Sequence, residues 1–245
     1  MIGGWPFTLF WTLAAIGVYW EWSSEVVRAR RSAVIAGMCV IAVAGLLAAT
    51  NLPGGALLVI AAGAAGLAVL AKESKSWCAG GAIYAGLVLA GPMLLRRDPQ
   101  FGLLALLYLF AIVWTTDIVA YCAGRLIGGP KLAPAISPKK TWSGAIVGAI
   151  GGVIAGGAVA AVASLGNLLA ATAIALLLSI VAQAGDLIES AVKRRFGVKD
   201  SGWMIPGHGG LMDRLDGFLA AAGVAAFLGA ARGGLDGAAG GLFAW

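Results

Sequence analysis

The chain has 245 residues, of which 60% are hydrophobic and only 11% charged, with a net charge of +6 at pH 7 and a mean hydropathy of +0.93. Soluble domains are about 45–50% apolar and about 25% charged. A soluble protein is therefore excluded, because this sequence cannot cover a folded core with polar surface.

Apolar segments of about the length of a membrane span recur along the chain. A helix that crosses a bilayer needs roughly 17 to 25 predominantly apolar residues. By this criterion we predict eight transmembrane helices, at residues 5–20, 33–49, 54–71, 77–95, 102–124, 143–165, 167–189 and 217–232. The sequence thus predicts an all-α polytopic integral membrane protein whose residues 1–245 form a single membrane-embedded domain.

Lysine and arginine are concentrated in alternate loops. All of the 17 basic residues except Arg96, Arg97 and Arg232 lie in the first, third, fifth and seventh loops or at their borders. By the positive-inside rule these loops face the cytoplasm and both termini lie on the opposite side. Topology and anionic lipid headgroups account for the positive charge, so no nucleic-acid partner is expected.

One predicted helix carries glycine at every fourth position. Gly144, Gly148, Gly152 and Gly156 form a stripe along one helix face, and small residues in such a stripe let neighbouring helices approach closely. We interpret the stripe as a packing surface, either within the chain or between subunits.

Asp117 is an acidic residue inside a predicted membrane span. Helical spacing places Asp117, Tyr121 and Gly124 on one face. Carboxylates within a membrane are costly, and they tend to face a cavity, a partner or an ion. The face that carries Asp117 is therefore a candidate functional surface.

A second acidic stripe lies in "AQAGDLIESAVKRR". Asp186, Glu189, Ser190 and Lys193 follow one another at helical spacing, so carboxylates run along one face towards a basic cluster. Two interpretations remain open. The acids either pair with Lys193 and Arg194 at the membrane surface or belong to a functional site.

The segment "GHGGLMDRLDG", residues 207–217, gathers charge before the last predicted helix. Asp213 and Asp216 lie near the helix start, where the helix dipole stabilises carboxylates. We expect Asp186 and Asp213 to converge and bind Mg²⁺, which takes one or two carboxylates together with phosphate oxygens. A second cation stays open. His208, the single histidine, is either a hydrogen-bonded scaffold residue or a metal ligand or acid/base.

A second polar loop, "PAISPKKTWSGA", precedes the glycine-striped helix. We predict an extended turn at Ser137, and Thr141 as the helix N-cap. Lys139 and Lys140 beside that helix N-terminus form a candidate anion site. The alternative is that the two lysines serve only as topology signals.

The stretch Ser190 to Gly217, "SAVKRRFGVKDSGWMIPGHGGLMDRLDG", closely resembles the signature of the phosphatidate cytidylyltransferases. The matching residues are Ser190, Lys193, Arg194, Lys199, Asp200, Pro206, His208, Gly209, Gly210, Asp213, Arg214 and Asp216. "DIVAYCAGRLIGG", "SPKKTW" and "WEW" at residues 20–22 also resemble parts of this family.

The resemblance implies a reaction in which CTP and phosphatidate give CDP-diacylglycerol and pyrophosphate, with Mg²⁺, on the cytoplasmic side of a multi-helix membrane enzyme. The family is often dimeric, so a homodimer is one assembly that the resemblance allows. Within the single domain, residues 1–100 would supply N-terminal helices and residues 101–245 the catalytic helices and cytoplasmic loops.

The resemblance also implies roles for individual residues. Asp186 and Asp213 match the metal-binding carboxylates. The expected catalytic residues are Asp186, Lys193, Arg194, Lys199, His208, Asp213 and Asp216. The expected substrate-binding residues are Asp117, Tyr121, Ser137, Lys139, Lys140, Thr141, Ser190 and Arg214.

The chain departs from the family pattern at two places. Ser143 stands where the family commonly has glutamate, which leaves any role of that acid unfilled. The region before "WEW" holds one apolar segment where relatives usually have two.

Two other functions explain part of the sequence. "DRLDG" contains the Asp-x-x-Asp-Gly of CDP-alcohol phosphatidyltransferases, but Phe218 to Ala221 do not continue that motif. An ion or lipid transporter would explain the intramembrane carboxylates, but it leaves the basic and glycine-rich loops unexplained.

Overall fold

The computed structural model describes residues 4–71, 74–204 and 209–245. This part of the chain forms nine α-helices, a π-helical segment and one β-hairpin. The helices are α1 (Trp5–Trp20), α2 (Arg31–Ala49), α3 (Pro53–Leu70), α4 (Lys75–Arg97), α5 (Gly102–Leu126), α6 (Trp142–Val162), α7 (Leu168–Arg195), α8 (Met212–Gly233) and α9 (Ala238–Phe243). The π-helix is Glu21–Val26, and the strands are β1 (Lys131–Ala133) and β2 (Ser137–Thr141).

Each of the eight predicted apolar segments corresponds to one helix, α1 to α8, which confirms the predicted helical membrane fold. By length and composition, six of these helices qualify as membrane spans, α2 and α4 to α8. The predicted count of eight spans is therefore approximate, since α1, at 16 residues, and α3 are not in this set. The ends also differ: α7 continues to Arg195 and α8 begins at Met212, because a helix does not stop where its side chains become polar.

The chain divides into two compact units. The first consists of Met1–Leu94 and Arg195–Leu215, and the second of Leu95–Arg194 and Asp216–Trp245. The expected boundary near residue 100 lies close to the change of unit after Leu94, whereas the loop between α7 and α8 belongs to the first unit. The expectation of a single domain stays a prediction.

In the first unit, α1 and α2 pack through small residues and two side-chain hydrogen bonds anchor the aromatic end of α1. Gly37 of α2 lies directly against the Tyr19 ring, and the Tyr19 hydroxyl donates to the carbonyl oxygen of Ala33 at 3.2 Å. Trp22 of the π-helix donates its indole N–H to the carbonyl oxygen of Trp77 at 2.8 Å. These contacts hold the π-helix against α2 and α4.

In the second unit, the glycine stripe of α6 packs against α5 and α7. A Cβ atom at Gly148 would lie 2.7 Å from the Ala120 Cβ and 2.9 Å from the Thr116 carbonyl oxygen of α5. Gly152 leaves the space in which Thr116 and Ser179 of α7 share a hydrogen bond at 2.7 Å. Of the two interpretations of the stripe, the structure shows packing within the chain.

The loop between α5 and α6 folds into an antiparallel hairpin, in which Lys131 lies opposite Thr141 and Ala133 opposite Ser137. The extended conformation at Ser137 was predicted, but its partner strand was not. Thr141 is the N-cap of α6, and its hydroxyl accepts the backbone N–H of Gly144 at 3.1 Å. The predicted cap is confirmed.

Substituting Gly148 by alanine should lower the melting temperature in detergent by about 5 °C, because the added methyl group overpacks the contact between α5 and α6. Gly66→Ala is the matched control, since no atom of the described residues lies within 4 Å of a Cβ added there. That variant should melt at the wild-type temperature or higher, because alanine has the higher helix propensity. Equal shifts in the two variants, measured by thermal unfolding, would contradict the packing role of the stripe.

Candidate active site

The second unit contains a cavity of about 600 Å³ whose wall is formed by α5, the hairpin, the start of α6 and α7. We call it the charged cavity. Its charged lining residues are Asp117, Arg125, Lys131, Lys139, Lys140 and Asp186. Four cations against two carboxylates, in a concave wall of otherwise low polarity, favour the binding of an anion that carries several charges.

The α5 side of the charged cavity carries the face predicted from helical spacing. Asp117, Tyr121 and Gly124 all line the cavity. Arg125, one turn after Tyr121, donates from Nη1 to the Tyr121 hydroxyl at 2.9 Å. This bond orients the Arg125 guanidinium on the cavity wall, a role that the sequence analysis had not assigned to Arg125.

An ion pair connects the hairpin to α7 across the charged cavity. The Lys140 ammonium group donates to Oδ2 of Asp186, and both side chains are about 30% exposed. The Ser190 hydroxyl donates to the other oxygen, Oδ1 of Asp186, at 3.4 Å. Asp186 thus pairs with Lys140 and not with Lys193 or Arg194, so the surface-pairing interpretation is wrong for this residue.

Glu189 pairs with Lys193, as that interpretation predicts, but the pair is buried and not at a surface. The Glu189 carboxylate is fully buried, and Oε2 lies 2.7 Å from the Lys193 ammonium nitrogen. Arg194 donates from Nε to the carbonyl oxygen of Ile136 at 3.3 Å, which connects the end of α7 to the hairpin turn. Neither Lys193 nor Arg194 is among the residues that line the charged cavity, and their expected roles at phosphate stay predictions.

A third carboxylate, Asp216 of α8, lies close to the first two. Asp216 interacts electrostatically with Asp186, Asp117 and Lys140. Among the described residues, no three histidine, cysteine, aspartate or glutamate side chains are positioned to enclose a metal ion. Oxygen donors nevertheless suit a hard cation, and Mg²⁺ commonly takes one or two protein carboxylates plus phosphate oxygens and water. The donor set therefore fits Mg²⁺ in its chemistry.

Asp213 has a defined structural role in the first unit. Its Oδ2 accepts the backbone N–H groups of Ser201 and Gly210, each at 3.0 Å. Asp213 therefore joins the middle of the loop between α7 and α8 to the start of α8. Because Asp186 belongs to the other unit, the expected convergence of the two carboxylates stays a prediction.

Glu21, for which no role was predicted from the sequence, organises the same loop. Its buried carboxylate accepts the backbone N–H groups of Leu211 and Met212, each at 2.8 Å, and the Ser201 hydroxyl at 3.1 Å. A Cβ atom at Gly210 would lie 2.6 Å from Oε2 of Glu21, so this approach requires glycine. The available signal was the acid between two tryptophans in "WEW".

The remaining predicted residues fall into three groups. Ser137, Lys139 and Thr141 belong to the hairpin, and Lys139 and Thr141 line the charged cavity. Lys199 and Arg214 are exposed in the first unit. His208 and Pro206 lie outside the described residues.

Three further features were missed or differ from the family pattern. Lys131 and Gln183 line the charged cavity. Lys131 comes into place because it lies opposite Thr141 in the hairpin, a pairing that no local pattern indicates. The hydroxyl of Ser143, which stands where the family commonly has glutamate, donates to the Gly128 carbonyl oxygen and so anchors the turn before the hairpin.

Comparison with known proteins agrees with this geometry. The model of the cytidylyltransferase family matches residues 1–231, which include the charged cavity and the loop bound by Glu21. The chain belongs to the cytidylyltransferase family. The matched region includes residues of both compact units and ends before α9.

Individual relatives carry a more specific name. A protein of Brucella abortus named phosphatidate cytidylyltransferase is 46% identical over 235 residues, which cover 94% of this chain and 86% of that protein. Proteins of the same name from Staphylococcus haemolyticus and Rickettsia bellii are 47% identical over 119 residues and 41% identical over 145 residues. These two matches cover 48% and 55% of this chain, and 46% and 61% of the relatives.

Replacing Glu21 by alanine should lower the melting temperature by roughly 5 to 10 °C, because three donors lose a charged acceptor inside the first unit. The loop between α7 and α8 should also become more sensitive to trypsin at Lys199. Glu25→Ala, in the same π-helix, is the control and should match the wild type. Wild-type melting and proteolysis of the Glu21 variant would show that the carboxylate does not hold the loop.

Proposed function

We propose that this protein transfers the cytidylyl group of CTP to phosphatidate, giving CDP-diacylglycerol and pyrophosphate for phospholipid synthesis. The observation that carries the proposal is the charged cavity, in a chain that belongs to the cytidylyltransferase family. The relatives' name supplies the lipid phosphate as the acceptor.

The cations of the charged cavity suit the phosphates of both substrates. Lys131 and Lys139 are exposed on the hairpin, and Arg125 is exposed at the end of α5. Charge-assisted hydrogen bonds from lysine and arginine to phosphate are stronger than neutral hydrogen bonds. One arginine can also bind two phosphate oxygens at once, in a bidentate arrangement. These three side chains can offset part of the negative charge of a triphosphate without breaking the pair between Lys140 and Asp186.

In the proposed reaction, a phosphate oxygen of phosphatidate attacks the α-phosphorus of CTP. The bond from the α-phosphorus to the bridging oxygen breaks, and pyrophosphate leaves with that oxygen. A phosphate monoester is already anionic at neutral pH, so a strong general base is not required. Positioning and electrostatic stabilisation carry most of the rate, as in other phosphoryl transfers.

Lys140 and Asp186 have complementary tasks in this scheme. The Lys140 ammonium group stabilises negative charge that develops on the reacting phosphoryl group. Asp186, oriented by Ser190, holds Lys140 in the cavity wall. Asp117 is the second carboxylate of the wall, and it keeps the cavity from being uniformly positive.

Mg²⁺ is part of the proposal. Asp186 is the proposed protein ligand in the second unit, with Asp117 and Asp216 as candidates for a second cation, and Asp213 is the ligand that the sequence signature predicts. When bound, Mg²⁺ supplies Lewis-acid stabilisation of charge on phosphoryl oxygens.

The remaining proposals concern location and assembly. We place the protein in a bacterial inner membrane with the charged cavity facing the cytoplasm. The positive-inside rule places the basic loops on that side, and CTP is supplied from the cytoplasm. A homodimer is proposed from the family resemblance, and light scattering of the detergent-solubilised protein tests it.

The reaction is tested by following α-labelled CTP into the organic phase with purified protein, phosphatidate and Mg²⁺. We expect label in the lipid, and a fall in turnover of roughly 100-fold or more in Asp186→Asn, because Lys140, which stabilises charge at the phosphoryl group, loses the carboxylate that holds it. Asp236→Asn is the control, since Asp236 is 81% exposed and pairs with Arg97 away from the cavity. Absence of labelled lipid with the wild-type protein would contradict the proposed function.

The metal is tested separately by chelation and by Asp213→Asn. Removal of divalent cations with EDTA should abolish transfer, and added Mg²⁺ should restore it. Asp213→Asn should raise the Mg²⁺ concentration that gives half-maximal rate. Wild-type turnover and wild-type Mg²⁺ dependence of this variant would show that Asp213 serves the loop alone.

A further inference from the structure

A second cavity of the second unit runs along the membrane-spanning helices. It has a volume of about 700 Å³ and lies between α6 and α7. We call it the apolar groove. Apart from Trp142 and Gln183, its lining side chains are all alanine, valine, leucine and isoleucine. None of the charged residues that the structure describes contributes to its wall.

The apolar groove is continuous with the charged cavity. Leu132, Ala145 and Gln183 line both. The Gln183 side-chain amide donates to the carbonyl oxygen of Ala145 at 3.3 Å, which satisfies this donor at the junction of the two cavities. A single molecule with a charged end and an apolar end would therefore meet matching surfaces on either side of this junction.

Contacts between the two helices set the direction of the groove. Gln183 lies level with Ala145, and Gly152 lies level with Ser179 of the antiparallel α7. The groove thus starts at the charged cavity and descends along α6 to Ile154. At about 1.5 Å per residue this distance is about 14 Å, roughly half of the ~30 Å hydrocarbon core of a bilayer.

Helix packing explains why the groove exists. The glycine stripe turns one face of α6 towards α5, so the neighbouring face carries Ala145 and Ala149, which are too small to fill the space beside α7. Ala184 of α7 leaves room in the same way. The three alanines therefore leave the space of the groove between larger side chains such as Trp142 and Ile150.

We propose that the apolar groove binds one acyl chain of the phosphatidate substrate, and that its walls determine which acyl chains react efficiently. This inference rests on the proposed function. The charged cavity would hold the phosphate, and the groove has the direction and the depth of one leaflet that a chain attached to that phosphate requires. Burial of the chain against aliphatic side chains supplies the binding energy.

The test compares phosphatidates that differ only in chain length, dioctanoyl and dioleoyl, in detergent micelles. Ala149→Phe places a ring in the groove and should raise the KM for dioleoyl phosphatidate roughly tenfold, the effect of losing the burial of about two methylene groups. The KM for CTP and the rate with dioctanoyl phosphatidate should stay within about twofold of the wild type.

Ala158→Phe is the matched control, because Ala158 is exposed on the same helix and does not line the groove. It should leave the preference between the two lipids unchanged. A second test variant, Ile180→Ala, widens the groove without any clash. It should selectively weaken the binding of dioleoyl phosphatidate. It keeps the proposal testable if Ala149→Phe fails to fold.

Three outcomes would overturn the inference. Identical lipid preferences for Ala149→Phe, Ile180→Ala and the control would show that no reacting chain occupies the groove. A change of oligomeric state in Ala149→Phe, with equal loss of activity towards both lipids, would assign the groove to contact with a second copy of the chain. Equal labelling of α6 by a diazirine-bearing phosphatidate with and without excess dioleoyl phosphatidate would indicate bulk lipid.

Failure of the proposed function is recognised separately. If the wild-type protein transfers no cytidylyl group to either phosphatidate, the reaction itself is wrong. If it transfers the group to both lipids but the groove variants keep the wild-type preference, only the assignment of the groove is wrong.

Discussion

The close approach of α6 to α5 and α7 is the constraint on which the second unit depends. Glycine at positions 148 and 152 removes the side chains that would separate the helices, and Thr116 and Ser179 bond to each other in the space that is left. Asp117 follows Thr116 directly, and Asp186 lies two turns beyond Ser179. The packing in the apolar part of the helices therefore sets where the carboxylates stand at their polar ends.

The acidic residues of this apolar chain lie in two distinct environments. Glu21 and Glu189 are fully buried, and their charge is compensated by backbone N–H groups and by Lys193, respectively. Removing one partner of such a buried group is costly, so these acids act as structural elements. Asp117 and Asp186 instead line an open cavity, where a substrate or an ion can reach them. Asp117 and Asp186 are thus accessible from the cavity, whereas Glu21 and Glu189 are not exposed.

The hairpin and the loop after α7 show how polar segments are held at the ends of apolar helices. The hairpin is attached to α7 by Lys140 and Arg194, and the loop is attached by Asp213 within its own unit. In each case a side chain bonds backbone or an opposite charge, and these bonds act together with apolar contacts such as that of Phe196 with Trp77. A membrane-surface enzyme needs this arrangement, because its polar substrate must meet ordered groups outside the hydrocarbon core.

The sequence by itself determined the helical membrane fold, the order of the helices, the packing role of the glycine stripe and the cap at Thr141. These features follow from local periodicity, composition and spacing, which act within a single helix or turn. It also identified Asp117 and Asp186 as candidate site residues, because a carboxylate inside a membrane span is costly and therefore informative. Lys139 and Lys140 were identified from their position beside a predicted helix N-terminus.

Only the tertiary structure decided which charges pair. Asp186 pairs with Lys140, 46 residues away, rather than with the nearby basic cluster. Glu21 binds a loop about 180 residues later, and Lys131 reaches the cavity because a strand pairs it with Thr141. Such contacts depend on how helices and strands from distant parts of the chain are packed, and a single sequence carries no local signal for that distance. The continuity of the charged cavity with the apolar groove arises in the same way, from the space that small side chains leave between two packed helices.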